Sequence, residues 1–270
     1  MPNLPDDLTP FTDFAAALAQ RGGEIAQQWF RADFTIDVKT DCSPVTIADR
    51  SVEAELRERI LSAYPHHGIL GEEYGQKAVD AEYVWVIDPI DGTRSFITGS
   101  PLWGTLVALL HKGRPVVGAV EIPVLQERWI GTAAQGCRAG SPQKGTVTSR
   151  VSHCTELATA QFYTTSIRYF DEQDKPTINQ LADTTANALF GGDCYIYCLL
   201  ASGYIDLVVE SQLKPYDYLA LVPIIEEAGG VITDWEGKPM SLQSDGNLIA
   251  AATHELHAQA LHFIRNRKCK

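Results

Sequence analysis

The first periodic signal lies in residues 11–30, where Phe14, Ala15, Leu18, Ile25 and Trp29 share one helical face and predict an amphipathic helix. Gly22-Gly23 falls inside this stretch, leaving open a helix interrupted there or one that runs through. A second stripe, Val52, Leu56, Ile60 and Leu61, is interleaved with charged residues. It predicts another helix, with Asp49 placed to cap it and Pro65 beyond its end.

The pattern then changes. Tyr83-Val-Trp-Val-Ile87 is a short continuous apolar run, which predicts a buried strand delivering the acidic turn at Asp88-Pro89. Residues 106–110 and 116–122 read as two further strands flanking the turn Lys112-Gly-Arg-Pro115. Residues 135–150, rich in Gly, Ser and Gln, are expected to form a loop or lobe boundary. The chain is thus read as a single domain with two lobes, about 1–145 and 146–270. Beyond the boundary helical and strand signals alternate, an α/β pattern. A helix is expected over residues 218–228, bent at Pro223.

Composition narrows the class. With 270 residues and 45% hydrophobic content the chain can bury a sizeable core. Its 22 Lys+Arg against 34 Asp+Glu give a net charge of -12, which opposes binding to nucleic acid or anionic membrane. The basic run at 265–270 reads as a solvated tail. The start, with Pro2, Pro5, Asp6 and Asp7, lacks the basic opening and apolar middle of a secretion signal, and the expected compartment is the cytoplasm. Cys42, Cys137, Cys154, Cys194, Cys198 and Cys269 form no CxxC pair and are expected to be reduced thiols, Cys194 and Cys198 serving as packing on one helical face.

Four acidic positions adjoin apolar segments: Glu72 after Leu70-Gly71, Asp88 and Asp91 in Asp88-Pro-Ile-Asp-Gly-Thr93, and Asp217 after Lys214-Pro-Tyr216. Carboxylates gathered at strand ends repel one another and lose hydration. Hard divalent cations, whose preferred ligands are oxygens, offset that cost, and magnesium is the natural candidate. Pro89 stiffens the turn and Gly92 permits a tight return with close approach to a ligand. Taken singly, Asp49 and Asp217 could each cap a helix, Glu72 and Glu73 could be a solvated turn, and the aspartate motif a tight turn. Their joint occurrence points to a metal site. HExxH, Cys-x5-Arg and Walker A motifs are absent from the sequence, so water is the expected nucleophile.

The segment Trp85-Val-Ile-Asp-Pro-Ile-Asp-Gly-Thr-Arg-Ser-Phe96 resembles the signature of the inositol-monophosphatase superfamily. Val45-Thr-Ile-Ala-Asp49, Ile69-Leu-Gly-Glu-Glu73, Pro215-Tyr-Asp-Tyr-Leu-Ala220 and Gly229-Gly230 resemble its other motifs in the same order, although Tyr216 stands where many members carry tryptophan. The resemblance implies a layered α-β-α-β-α sandwich and a Mg2+-dependent phosphomonoesterase. It implies Glu72, Asp88, the Ile90 carbonyl, Asp91 and Asp217 as metal ligands, with Asp49 an outer ligand for a weaker third ion. Glu72 and Thr93 would orient and help deprotonate the attacking water, while the Gly92 and Thr93 amides would bind phosphate.

The segments Gly191-Gly-Asp-Cys-Tyr-Ile-Tyr-Cys198 and Asp206-Leu-Val-Val-Glu210 look like the histidinol-phosphatase branch. Asp193 and Glu210 offer anionic partners for the ammonium and imidazole of L-histidinol phosphate; alternatively, Asp193 caps a helix beginning near Cys194 and Glu210 is a strand-end charge. An inositol-phosphate or broader sugar-phosphate monoesterase uses the same machinery. A non-catalytic metal-binding scaffold is the alternative of another class. The expected partner is a small phosphorylated metabolite, not nucleic acid or membrane, and a homodimer is compatible with this reading.

Overall fold

The structure, a computed structural model, describes residues 5, 7–33, 35–38 and 44–267. Cys42 and Cys269 lie outside the described residues. The chain opens with α1 (Thr9–Gln27), an antiparallel pair β1 (Ile36–Val38) and β2 (Pro44–Thr46), and α2 (Ile47–Ala63). Next come β3 (Gly68–Gly71), β4 (Gly75–Lys77), β5 (Tyr83–Asp91), α3 (Thr93–Ile97), β6 (Gly104–His111), β7 (Arg114–Ile122), β8 (Glu127–Thr132), β9 (Gly136–Ser141) and β10 (Gly145–Thr148). These strands form an eight-stranded sheet in the order β10-β9-β8-β7-β6-β5-β3-β4, antiparallel except for the parallel pair β3 and β5.

The remaining elements are β11 (Gln161–Thr164), α4 (Lys175–Thr184), β12 (Asn187–Phe190), α5 (Tyr195–Ala201), β13 (Leu207–Glu210), α6 (Pro215–Tyr218), α7 (Leu221–Glu227), β14 (Val231–Thr233), β15 (Leu248–Ala251) and α8 (His254–Arg267). A five-stranded mixed sheet runs β12-β11-β13-β15-β14.

The period-two geometry of the strands explains the layering. On β5, Trp85 and Ile87 face α1 and α2, sharing a core with Leu18, Val52 and Leu56. Val84 and Val86 face the other way, into a core built with α5, α7 and the inner residues Val208 and Ala250 of the smaller sheet. That sheet's outer residues, Leu207, Val209 and Ile249, pack on Ile178 and Leu181 of α4 and on Leu256 and Ala260 of α8. The order is helices, eight-stranded sheet, helices, five-stranded sheet, helices: an α-β-α-β-α sandwich. Because β5 is covered on both faces, its apolar residues run without alternation. Among the described residues no helix is long and apolar enough to cross a membrane.

The first helix runs through Gly22-Gly23. Both glycines are buried, and a Cβ on Gly22 would collide with Thr105 of β6, one on Gly23 with Pro123. Closeness to the sheet, not a break, requires them.

Several expectations need correction. Asp49 occupies the third position of α2, and Thr46 is the N-cap of a capping box that includes it. Strand β5 extends past Ile87 to Asp91. Residues 135–150 are not a loop: β9 and β10 make an antiparallel hairpin at the sheet edge. Every residue of β10 is exposed, so the alternation that marks a half-buried strand is missing. The helix expected over 218–228 is two, α6 and α7, parting at residues 219–220. Pro223 lies in the first turn of α7, where its missing N–H costs little.

Candidate active site

Strand β5 carries the central motif. Asp88 pairs with Leu106 and Asp91 with Gly104, so one extra residue is accommodated on β5 between them. Such a bulge re-aims side chains that regular alternation would send to opposite faces. Gly92 follows in the left-handed region at φ 82 and ψ 41 and starts the short helix α3, a conformation that glycine adopts without strain. The turn brings the Thr93 hydroxyl to donate to the Ile90 carbonyl at 3.1 Å, while Asp49 Oδ1 stands 3.5 Å from the same hydroxyl.

Ligand-capable oxygens of Asp88, Asp91 and Asp217 lie within 4.8 Å of one another. Asp217 is oriented by its place in α6, its Oδ2 accepting the Lys214 N–H at 2.6 Å. Asp91 Oδ1 accepts the Cys194 N–H at 2.8 Å. Asp88 Oδ1 is buried and has no hydrogen-bond partner. Glu72 follows β3, whose parallel register places Gly71 beside Ile87, and its side chain lines the same cavity as Asp88.

Burial, then repulsion from Glu72, Asp91 and Asp217, holds the Asp88 carboxyl well above the usual range. Burial, with repulsion from Asp193 and Asp217, does the same to Asp91. Asp217 is pushed up to about 6, chiefly by burial. An all-oxygen donor set with an unpartnered buried carboxylate oxygen fits a hard divalent ion. Asp49 does not line this cavity. Its Oδ2 accepts the N–H of Thr46 at 2.8 Å and the Thr46 hydroxyl at 2.6 Å, and its Oδ1 stands 3.5 Å from the Thr93 hydroxyl, which is itself bonded to the Ile90 carbonyl.

The cavity of about 590 Å³ above the aspartates is also lined by Asp193 and Glu210. Asp193, at φ 43, accepts the Ser95 hydroxyl at 2.6 Å and leans over Gly92. Helix α5 has no side-chain cap, so the capping alternative for Asp193 is not what forms. Glu210 ends β13 and accepts the Thr165 N–H at 2.7 Å and the Tyr197 hydroxyl at 3.0 Å. Burial raises the pKa of both carboxyls.

Sequence reasoning missed Ser95, Tyr169 and Asp245 as cavity-region residues. Ser95, two positions after Thr93, could have been found from the motif; Tyr169 lies in a 3-10 turn, Ile167–Tyr169, that leaves no periodic signal.

The inositol monophosphatase family profile matches residues 7–266. This chain belongs to the inositol monophosphatase family. Among its relatives, the bifunctional phosphatase IMPL2, chloroplastic, of Arabidopsis thaliana is 45% identical over 267 residues, covering 96% of this chain and 76% of that protein. The histidinol-phosphatase of Mycobacterium tuberculosis is 37% identical, covering 83% of this chain and 86% of that protein. A solved inositol monophosphatase from Zymomonas mobilis superposes with a TM-score of 0.86 at 40% identity, covering 97% of this chain and 100% of the other.

Proposed function

We propose that the chain is a magnesium-dependent phosphomonoesterase hydrolysing L-histidinol phosphate to L-histidinol and phosphate. The observation that carries the metal-dependent reading is the partnerless, buried Asp88 Oδ1 within the Asp88, Asp91 and Asp217 cluster. The ion's side chains would be Glu72, Asp88, Asp91 and Asp217, with the Ile90 carbonyl, and Asp49 reached through Thr93 as the outer position. Bound there, a divalent ion supplies Lewis-acid neutralisation of charge on a phosphoryl group and acidifies water.

The chain's own groups do the rest. Thr93, pinned by its bond to the Ile90 carbonyl, directs its hydroxyl oxygen to a water that Glu72 relieves of a proton. The Gly92 and Thr93 amides receive phosphate oxygens. Asp193 and Glu210 receive the cationic leaving group. Their carboxylates keep lone pairs beyond those taken by Ser95, Thr165 and Tyr197, and burial strengthens each charged contact. The histidinol-phosphatase relative from M. tuberculosis supports this substrate.

An inositol or broader sugar phosphate is the second reading, favoured by the Z. mobilis inositol monophosphatase. Phosphate release from histidinol phosphate and inositol monophosphate, with and without Mg2+, tests both. A higher kcat/KM on the inositol ester overturns the histidinol reading. Metal binding without turnover on any phosphomonoester favours a scaffold.

A further inference from the structure

Glu53 lies on α2, facing away from solvent, with its side chain wholly buried. Its carboxylate accepts the backbone N–H of Glu73 at 2.6 Å and that of Tyr74 at 3.1 Å. It also accepts Arg57 Nε at 2.7 Å, one helical turn on, and Arg57 in turn donates through Nη2 to the Gly75 carbonyl. The carboxylate occupies the space over Gly71 that a Cβ there would need. Buried Glu53 and its half-buried partner Arg57 therefore hold the turn after β3 from three sides: at residue 71 by contact, at 73 and 74 through amides, and at 75 through a carbonyl. The residue enclosed by these contacts is Glu72, whose side chain lines the cavity with Asp88.

A full negative charge buried on a helix is expensive unless matched by a cation and hydrogen bonds. Here it is matched, but a shorter apolar residue would fill the same helix position without that requirement. What the carboxylate adds is direction. Two amides converging on one group set the course of the backbone on either side of Glu73, leaving the preceding side chain little freedom in where it projects.

We propose that Glu53 is a positioning residue that, with Arg57, presents Glu72 to the divalent-ion site. The inference rests on the metal-dependent reading above. Outer partners of metal ligands commonly change metal affinity or activity by about 10- to 100-fold when removed. Glu53→Gln keeps the shape, loses the charge paired with Arg57 and turns one acceptor into a donor facing an amide.

The test is calorimetric titration of the full chain with Mg2+ alone, with thermal unfolding of the same samples, followed by kinetics. Glu53→Gln should weaken Mg2+ binding by about tenfold and lower kcat by about tenfold or more, with little change in KM. In a Glu72→Gln background it should add almost nothing to either, since its effect passes through Glu72. Unchanged metal affinity and kcat with only a lower melting temperature would overturn the proposal, as would full additivity with Glu72→Gln. Should Glu53→Gln not fold, Arg57→Lys, which keeps the charge but loses the fork to Glu53 and Gly75, should move metal affinity in the same direction; an unchanged affinity overturns the proposal. Failure of the wild-type chain itself to bind Mg2+ would instead defeat the metal-dependent reading.

Discussion

Asp91 Oδ1 and the Cys194 N–H meet at 2.8 Å, joining the carboxylate turn of the larger sheet to the start of α5. The preceding residue, Asp193, closes a second link through Ser95 at 2.6 Å. The turn holding proposed metal-binding residues is thus hydrogen-bonded to the one holding a proposed leaving-group residue, and variants on either side can be told apart only by reading metal and substrate separately.

Asp88→Asn should abolish tight Mg2+ binding and reduce hydrolysis by at least about 100-fold, while the fold persists. The amide preserves volume but removes the charge that holds the ion. It also relieves repulsion among the buried carboxylates, so the metal-free variant should melt no lower than the metal-free parent. Circular dichroism melts with and without Mg2+, beside calorimetric titration, check both halves.

Thr93→Ala should lower kcat by about 100-fold with KM nearly unchanged, the usual scale for a positioned proton-transfer group. The lost hydroxyl also frees the Ile90 carbonyl from its 3.1 Å bond. Single-turnover kinetics at saturating Mg2+ decide: an unaltered rate removes Thr93 from the chemistry.

Asp193→Asn should raise KM for histidinol phosphate by roughly 10- to 100-fold, the equivalent of about 1.5–3 kcal/mol for one charged hydrogen bond. Inositol monophosphate, which carries no cation, should change far less. Ser95→Ala should follow in milder form, because its hydroxyl only orients the carboxylate. Equal losses on both esters would defeat cation recognition.

His257 packs against Thr233, its Nε2 2.8 Å from the hydroxyl. Burial, with the nearby His254 and Arg265, depresses its pKa from 6.5 to about 4. Above pH 6.5 neither folded nor unfolded chain protonates it. Between there and about 4 the unfolded chain gains a proton that the folded chain does not, so its contribution makes stability fall as pH drops through that window. His257→Gln cannot take up that charge, and the difference between parent and variant urea midpoints should shift in the variant's favour from pH 7 to pH 5. A difference independent of pH would remove His257 from the acid response.

How far the sequence reached depended on the range of the interaction. Asp88, Asp91 and Gly92 fall within five consecutive residues, so local chemistry and the family resemblance exposed them before any fold was known. Strand β5 was readable because burial on both faces leaves an unbroken apolar run, whereas the wholly exposed β10 left Gly-rich composition as its strongest signal. Glu53 was hidden for a different reason. It sits near Glu55 and Glu58 in what reads as an ordinary charge-rich helix, and only the approach of Gly71, set by the docking of β3, reveals that it is buried. Its pairing with Arg57 at i,i+4 was the one local hint, and exposed helices carry such pairs routinely.

The three clustered aspartates come from opposite halves of the chain, two from the eight-stranded sheet and one from the helix after β13. During synthesis Asp88 and Asp91 emerge long before Asp217, and neither sheet alone can assemble the cluster. A cation that binds the complete cluster far better than its separate parts favours the docked state by mass action. Magnesium would then act as a late clasp, and its uptake would report that the two sheets have closed on the helices between them.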